Sequence, residues 1–253
     1  MNWSKVKTVL IILFLAIDIF LVIWNIRLQN EAGAVGKKTI ENTAKLLAAR
    51  GIELPEGTVT EQIPELKGIS VRNAVASEAE FVGNVLGGRY KKEDNTFYNE
   101  NSMVKITGNS FEIESNVTIK SAADAEKWLE ELGFSLKDTV KAEYRGEFVI
   151  RSTYKGREIY GSKISVKPEG GKTRAYGSFF YVIEDSETDD DIVHVTAVLP
   201  KLIQEGISNC SVSSVKIGYR VENSEGKFAE ATAKPAYKIL LSDGREIFYN
   251  ATK

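Results

Sequence analysis

The hydrophobic pattern of the chain begins with one unbroken apolar run. From Val9 to Ile26 the residues read VLIILFLAIDIFLVIWNI, with a single acidic residue and no polar face. At about 1.5 Å per residue the run covers a hydrocarbon core of about 30 Å, so it predicts a single transmembrane helix over 9–26. Asp18 opposes insertion by roughly 2.5 to 3.5 kcal/mol, whereas each Leu, Ile, Phe or Val favours it by roughly 0.3 to 0.6 kcal/mol. About fourteen such residues stand in the run, so the span is expected to insert. A cleaved signal peptide competes with this reading, because Ala32-Gly33-Ala34 resembles a cleavage site and Lys5 and Lys7 a positive n-region. The run is longer than a signal peptide's apolar region of about 7 to 15 residues, and the small-residue triplet lies well past its end. Lys5 and Lys7, in a short tail over 1–8, place the N-terminus in the cytoplasm and the rest of the chain outside the cell membrane. Trp3 and Trp24 fall near the two interfaces, where aromatic anchors sit, with Lys5 and Lys7 flanking the inner one.

Beyond a linker over 27–37 the periodicity changes to that of a folded domain. A helix is predicted over 38–50, with Ile40, Ala44, Leu47 and Ala48 at helical spacing and Gly51 as its stop. A strand over 68–75, a helix over 78–86 ahead of Gly87-Gly88, and a hairpin of 102–107 with 110–117 around Gly108-Asn109 complete a first α+β unit, 38–118. The region 119–253 then reads as one arrangement made twice. Ser121 is a candidate N-cap, Ala125, Trp128, Leu129 and Leu132 share a helical face, and Gly133 ends the helix. Strands follow over 146–154, 157–166 and 174–183. The second pass has a helix over 196–205, in which Pro200 is tolerable only in the first turn, and strands over 213–221, 227–233, 236–241 and 245–250. The shared fingerprint is Tyr154-Lys-Gly-Arg-Glu-Ile-Tyr160 against Ser242-Asp-Gly-Arg-Glu-Ile-Phe248. The predicted fold class is therefore α+β, with repeated units of a helix packed on an antiparallel meander.

Composition narrows the function. With 253 residues, 43% of them hydrophobic, the chain can bury a substantial core. Its net charge of −2 and scattered basic residues argue against a nucleic-acid partner. One cysteine, Cys210, and one histidine, His194, cannot build a disulfide framework or a Cys/His metal site; Cys210 reads as a turn or strand-start residue and His194 as a surface or packing one. The acidic run 184–191 lacks the spacing of a calcium loop and reads as a solvated loop, and Gly87-Gly88 and Gly170-Gly171 read as turns rather than phosphate cradles. No nucleophile stands beside an orienting base in this pattern, so neither an enzyme nor a cofactor is expected. The residue that breaks a physical rule is Asp18. A carboxyl at mid-bilayer points to a partner contact, on a face shared with Phe14, Leu15, Leu21 and Val22.

The segment Asn2-Trp-Ser-Lys-Val-Lys-Thr, running into the apolar span with Asp18 followed by Phe20-Leu21, resembles the opening of the YycI family. Asn2 stands where many members carry an acidic residue. The resemblance is specific over the first 21 residues and loose over the rest, where Ala236-Tyr-Lys-Ile-Leu-Leu-Ser-Asp-Gly-Arg245 matches the family's C-terminal hairpin in type. It implies a non-enzymatic membrane protein that regulates the YycG/YycF (WalK/WalR) two-component system and cell-wall homeostasis. It further implies contact with the sensor histidine kinase through membrane helices, and with a YycH-like protein through the outside domain. An anchored PepSY-like module that inhibits a protease or binds cell-wall polymer is the alternative expectation.

Overall fold

The computed structural model describes residues 13–14, 17–24, 35–189, 191–221 and 226–252. The fold is α+β. After the N-terminal stretch the helices are α1 (Lys37–Ala48), α2 (Glu78–Leu86), α3 (Ala122–Glu131), α4 (Val195–Val198) and α5 (Lys201–Gln204). The strands are β1 (Ile52–Glu53), β2 (Lys67–Asn73), β3 (Lys91–Glu93), β4 (Thr96–Tyr98), β5 (Ser102–Thr107), β6 (Ser110–Ser115) and β7 (Thr139–Tyr144). They continue as β8 (Glu147–Tyr154), β9 (Arg157–Glu169), β10 (Lys172–Ser178), β11 (Phe180–Asp189), β12 (Cys210–Val221), β13 (Glu230–Leu241) and β14 (Glu246–Asn250). The chain divides into two compact units, each discontinuous in sequence.

The first unit takes Met1–Glu65, Ile192–Ser214 and Leu241–Arg245. Its helix α1 ends at Ala48, two residues before the predicted end at Arg50, and the turn that follows closes at Gly51, whose φ of 75° suits a residue without a Cβ. The start of β12 then lies parallel to β1, Ile52 opposite Cys210, so Cys210 is a strand-start residue. Leu47, Ile52, Val198, Leu199 and Leu202 are buried here. The single helix expected over 196–205 is corrected to two, α4 and α5, because Pro200 lacks an amide hydrogen to continue the ladder and instead caps the start of α5. His194 caps α4: its Nδ1 accepts from the Thr196 amide at 3.3 Å, and its Nε2 lies 2.7 Å from the Thr60 carbonyl, to which it donates. It is a buried packing residue.

The second unit takes Leu66–Asp191, Val215–Leu240 and Glu246–Lys253. Its strands run in the order β11, β2, β13, β12, β9, β10, β6, β5, β4, β3, with β8 joining β9, β7 joining β8 and β14 joining β13. The alternating apolar positions of β5, β6, β8, β9 and β10 bury Val104, Ile113, Ile150, Ile164 and Ala175 on one face. Phe81, Val82 and Val85 of α2, and Ala125, Trp128 and Leu129 of α3, belong to the same core. Ser121 caps α3 as its position suggested, its hydroxyl accepting from the Asp124 amide at 3.2 Å. A second cluster joins Ile69, Val71, Ile159, Phe180 and Tyr219.

Several expectations are corrected by this unit. The strand predicted over 174–183 is two, β10 and β11, broken at Phe179, whose buried ring turns into the aromatic core. The strands predicted over 227–233 and 236–241 are one, β13. At Pro235 its partner changes from β2 to β14, which is where a strand residue without an amide hydrogen is tolerated. The acidic run expected as a loop continues β11 as far as Asp189, because strand pairing uses the backbone and not the side chains. Purely antiparallel meanders are also not what is found, since β9 and β12 pair in parallel, Ile159 opposite Tyr219. There the backbones approach so closely that a Cβ on Gly218 would stand 2.3 Å from the Glu158 carbonyl oxygen. Both fingerprint segments form hairpin turns, and their equivalent rings, Tyr160 and Phe248, pack together with centroids 5.1 Å apart.

Candidate functional site

The predicted partner-contact face lies on the N-terminal apolar stretch. Residues 17–24 are helical, and every large apolar side chain described between Leu13 and Trp24 is 43–60% exposed. Phe14, Asp18, Leu21 and Val22 are all exposed, at spacings that one helical face shares. Phe20 and Trp24, a helical turn apart, stack with ring centroids 5.8 Å apart. Trp3, Lys5, Lys7 and Leu15 lie outside the described residues, as do parts of the predicted span over 9–26 and of the linker over 27–37; the remainder of the linker, Val35 and Gly36, leads into α1, which begins at Lys37. Among the described residues no helix is long and apolar enough to cross a membrane. The described stretch nonetheless exposes apolar surface on all sides, and each such side chain gains roughly 1.5 to 3 kcal/mol on leaving water.

Three clefts mark the surface of the second unit, and in each some of the lining polar groups are engaged within the fold. A cleft of about 410 Å³ lies between Arg72, Asn73, Glu80, Asn84, Phe134 and Tyr181. Its Arg72 guanidinium donates to Glu230 at 2.8 and 3.1 Å, and Asn73 donates to the Asn109 side chain at 3.0 Å. A second cleft, about 570 Å³, holds Tyr160, Arg220 and Phe248. Here the Tyr160 hydroxyl donates to the Lys216 carbonyl at 3.2 Å, and Arg220 lies 5.5 Å over the Phe248 ring. The third, about 580 Å³, is rimmed by Arg89, Tyr90, Tyr98 and Asn99. The Tyr98 hydroxyl donates to Glu93 at 2.5 Å, which raises its pKa, and Asn99 shapes its own turn by donating to the Leu86 carbonyl and accepting from the amides of Asn101 and Ser102. Among the described residues no three His, Cys, Asp or Glu side chains are grouped to hold a metal ion.

Three buried tyrosines of this unit are shifted chiefly by packing. Burial pushes the phenols of Tyr181 and Tyr237 up to about 12, opposed by a backbone hydrogen bond with Ser135 in the first and by Arg157 in the second. Tyr160 is raised as well, by burial and then by Glu158. An unfolded tyrosine ionises near pH 10, below the folded values, so the stability these residues lend is complete below about pH 10 and is lost as pH climbs toward about 12. The thermal midpoint is therefore expected to hold steady from pH 8 to 9.5 and fall steeply above 10, with phenolate absorbance rising at unfolding. A flat midpoint to pH 11.5 refutes it.

No protein-family model matches the chain, and no curated protein matches it. Among solved structures it is similar to an uncharacterized protein from Eubacterium rectale, with 13% identity over 80% of this chain and 88% of that one and a TM-score of 0.43.

Proposed function

We propose that the chain is a non-enzymatic, single-pass membrane regulator of a sensor histidine kinase of the YycG/WalK type. It acts together with a YycH-like protein, its tail over 1–8 in the cytoplasm and its α+β units outside. The observation that carries this reading is the helical stretch whose apolar side chains are exposed on every side around one acidic residue, Asp18. Such a surface suits lipid, and a carboxyl within it suits a neighbouring helix that offers a donor or shares its proton. The YycI-like opening over 2–21 supplies the identity of the partners. The repeated helix-plus-sheet reading of the outside region draws support from the two fingerprint hairpins and their packed rings, Tyr160 and Phe248.

The test is co-isolation of the full chain with the kinase and the YycH-like protein from solubilised membranes. Asp18→Leu should improve insertion yet weaken that association by about 0.6 to 2 kcal/mol, a three- to thirty-fold loss, while Asp18→Asn should be milder because it keeps a hydrogen-bonding group. Undiminished recovery of both partners with Asp18→Leu removes Asp18 from the contact. Recovery of neither partner with the unmodified chain removes the proposal.

A further inference from the structure

The strand β7 (Thr139–Tyr144) ends the sheet of the second unit with one side unpaired: among the described residues its backbone ladder is to β8 alone, while the Lys141 ammonium lies 2.6 Å from Glu126 of α3 and keeps 43% of its side chain exposed. All residues from Val140 to Tyr144 are exposed, with Val140 at 53% and Tyr144 at 62%. Edge strands are usually blunted by bulges, proline or repeated lysine. The charged β3, Lys91-Lys92-Glu93, is blunted in that way at the other end of the strand order. Strand β7 has no proline, and its register with β8 is unbroken from Thr139↔Ser152 to Tyr144↔Glu147.

The backbone fixes which residues of β7 are free to pair. The hairpin to β8 turns on two residues, Arg145 at φ 51° and Gly146 at φ 76°, so Tyr144 and Glu147 form a hydrogen-bonded pair. Alternation then turns the amides and carbonyls of Val140 and Ala142 toward β8 as well. The bond from the Thr153 amide to the Asp138 carbonyl, 2.7 Å, agrees with that parity. Lys141 and Glu143 therefore aim their backbone groups outward.

We infer that β7 is a self-association edge, and that its occupant is β7 of a second copy of this chain, antiparallel about a two-fold axis through Ala142. Parity admits only registers that pair an outward residue with an outward one. Centring on Lys141 sets lysine against lysine, and centring on Glu143 sets glutamate against glutamate. Centring on Ala142 places Lys141 opposite the second copy's Glu143 and Val140 opposite its Tyr144, each twice by symmetry. Of these three registers it is the one that matches both the charges and the exposed apolar side chains. The axis falls on a non-hydrogen-bonded pair, where Cα atoms approach to about 4.5 Å and a methyl group fits.

Disulfide trapping of the full chain in its own membranes, in a Cys210→Ser background, tests the register. At about 4.5 Å a cysteine pair on the axis meets disulfide geometry. Ala142→Cys should form a product of twice the chain mass at least tenfold faster than the exposed helix control Lys127→Cys. Val140→Cys and Tyr144→Cys should each form little alone and should cross-link when co-expressed. Adding Glu143→Lys, which sets lysine against lysine in the same register, should bring Ala142→Cys down to the control rate. Trapping of Ala142→Cys at the control rate overturns the inference, as does a product whose mass is that of another protein, or trapping indifferent to Glu143→Lys.

Discussion

A chain beginning at Val35 is expected to leave the membrane fraction entirely while its units still unfold cooperatively. The argument rests on where apolar burial is found. Every large apolar side chain described between Leu13 and Trp24 is exposed, whereas Val35 is joined to its unit by the bond from its amide to the Glu61 carbonyl at 2.7 Å. The main cluster of the second unit begins at Val75 and needs nothing from the N-terminus. Removing the stretch therefore takes away the surface that favours lipid and leaves the packed cores as they are. Fractionation of cells expressing both forms, with thermal unfolding of the released one, reads the result. In protoplasts carrying the full chain, added protease should digest the units and spare an N-terminal tag. Retention of the shortened chain with membranes, or a product that binds hydrophobic dye and melts without cooperativity, refutes the anchoring assignment.

What the sequence made legible follows from how each element is stabilised. Helix α2 spans the predicted residues and the hairpin of β5 with β6 departs from them only at its far end, because a helical apolar face, an alternating strand pattern and a Gly-containing turn act within a few residues of one another. Strands β3, β4 and β7 escaped because their pattern carries little or no buried face: β3 is exposed throughout, and β7 from Val140 onward. They are held largely by backbone pairing with a neighbour, which leaves little hydrophobic signature, although Phe97 of β4 reaches the core. The parallel pairing of β9 with β12 was hidden for a different reason. It joins positions some sixty residues apart, Ile159 with Tyr219, and its one local mark is Gly218, which reads as an ordinary strand glycine until the close approach of Glu158 is seen. The candidate contact residues divide in the same way. The exposure of Asp18 and its apolar neighbours was implicit in a run without a polar face, whereas the self-complementary edge of β7 depended on the parity of a hairpin two residues long.

Phe134→Ala is expected to destabilise the second unit by about 3 to 5 kcal/mol, the range for truncating a buried phenylalanine. Phe134 is 3% exposed and its ring contacts three others, with centroids 5.8 Å from Phe81, 5.2 Å from Phe111 and 6.0 Å from Phe179. Those rings come from α2, from β6 and from the break between β10 and β11, so the substitution empties a junction that one element alone cannot refill. The neighbours are themselves packed, and edge-on aromatic contacts of this kind add about 0.5 to 1.5 kcal/mol each beyond area. The backbone also holds the site open. Behind α3 the Phe134 amide donates to the Leu129 carbonyl and the Gly133 amide to that of Glu130, a Schellman closure with Gly133 at φ 90°. The chain is thereby fixed where the ring stood, and collapse into the cavity is limited. Phe134→Leu keeps more of the volume and should cost less. Urea unfolding at an unchanged m-value measures both, and at about 2 to 4 °C per kcal/mol the alanine variant should melt about 6 to 20 °C lower. A loss below about 1 kcal/mol for Phe134→Ala would show that the four rings are not one packed junction.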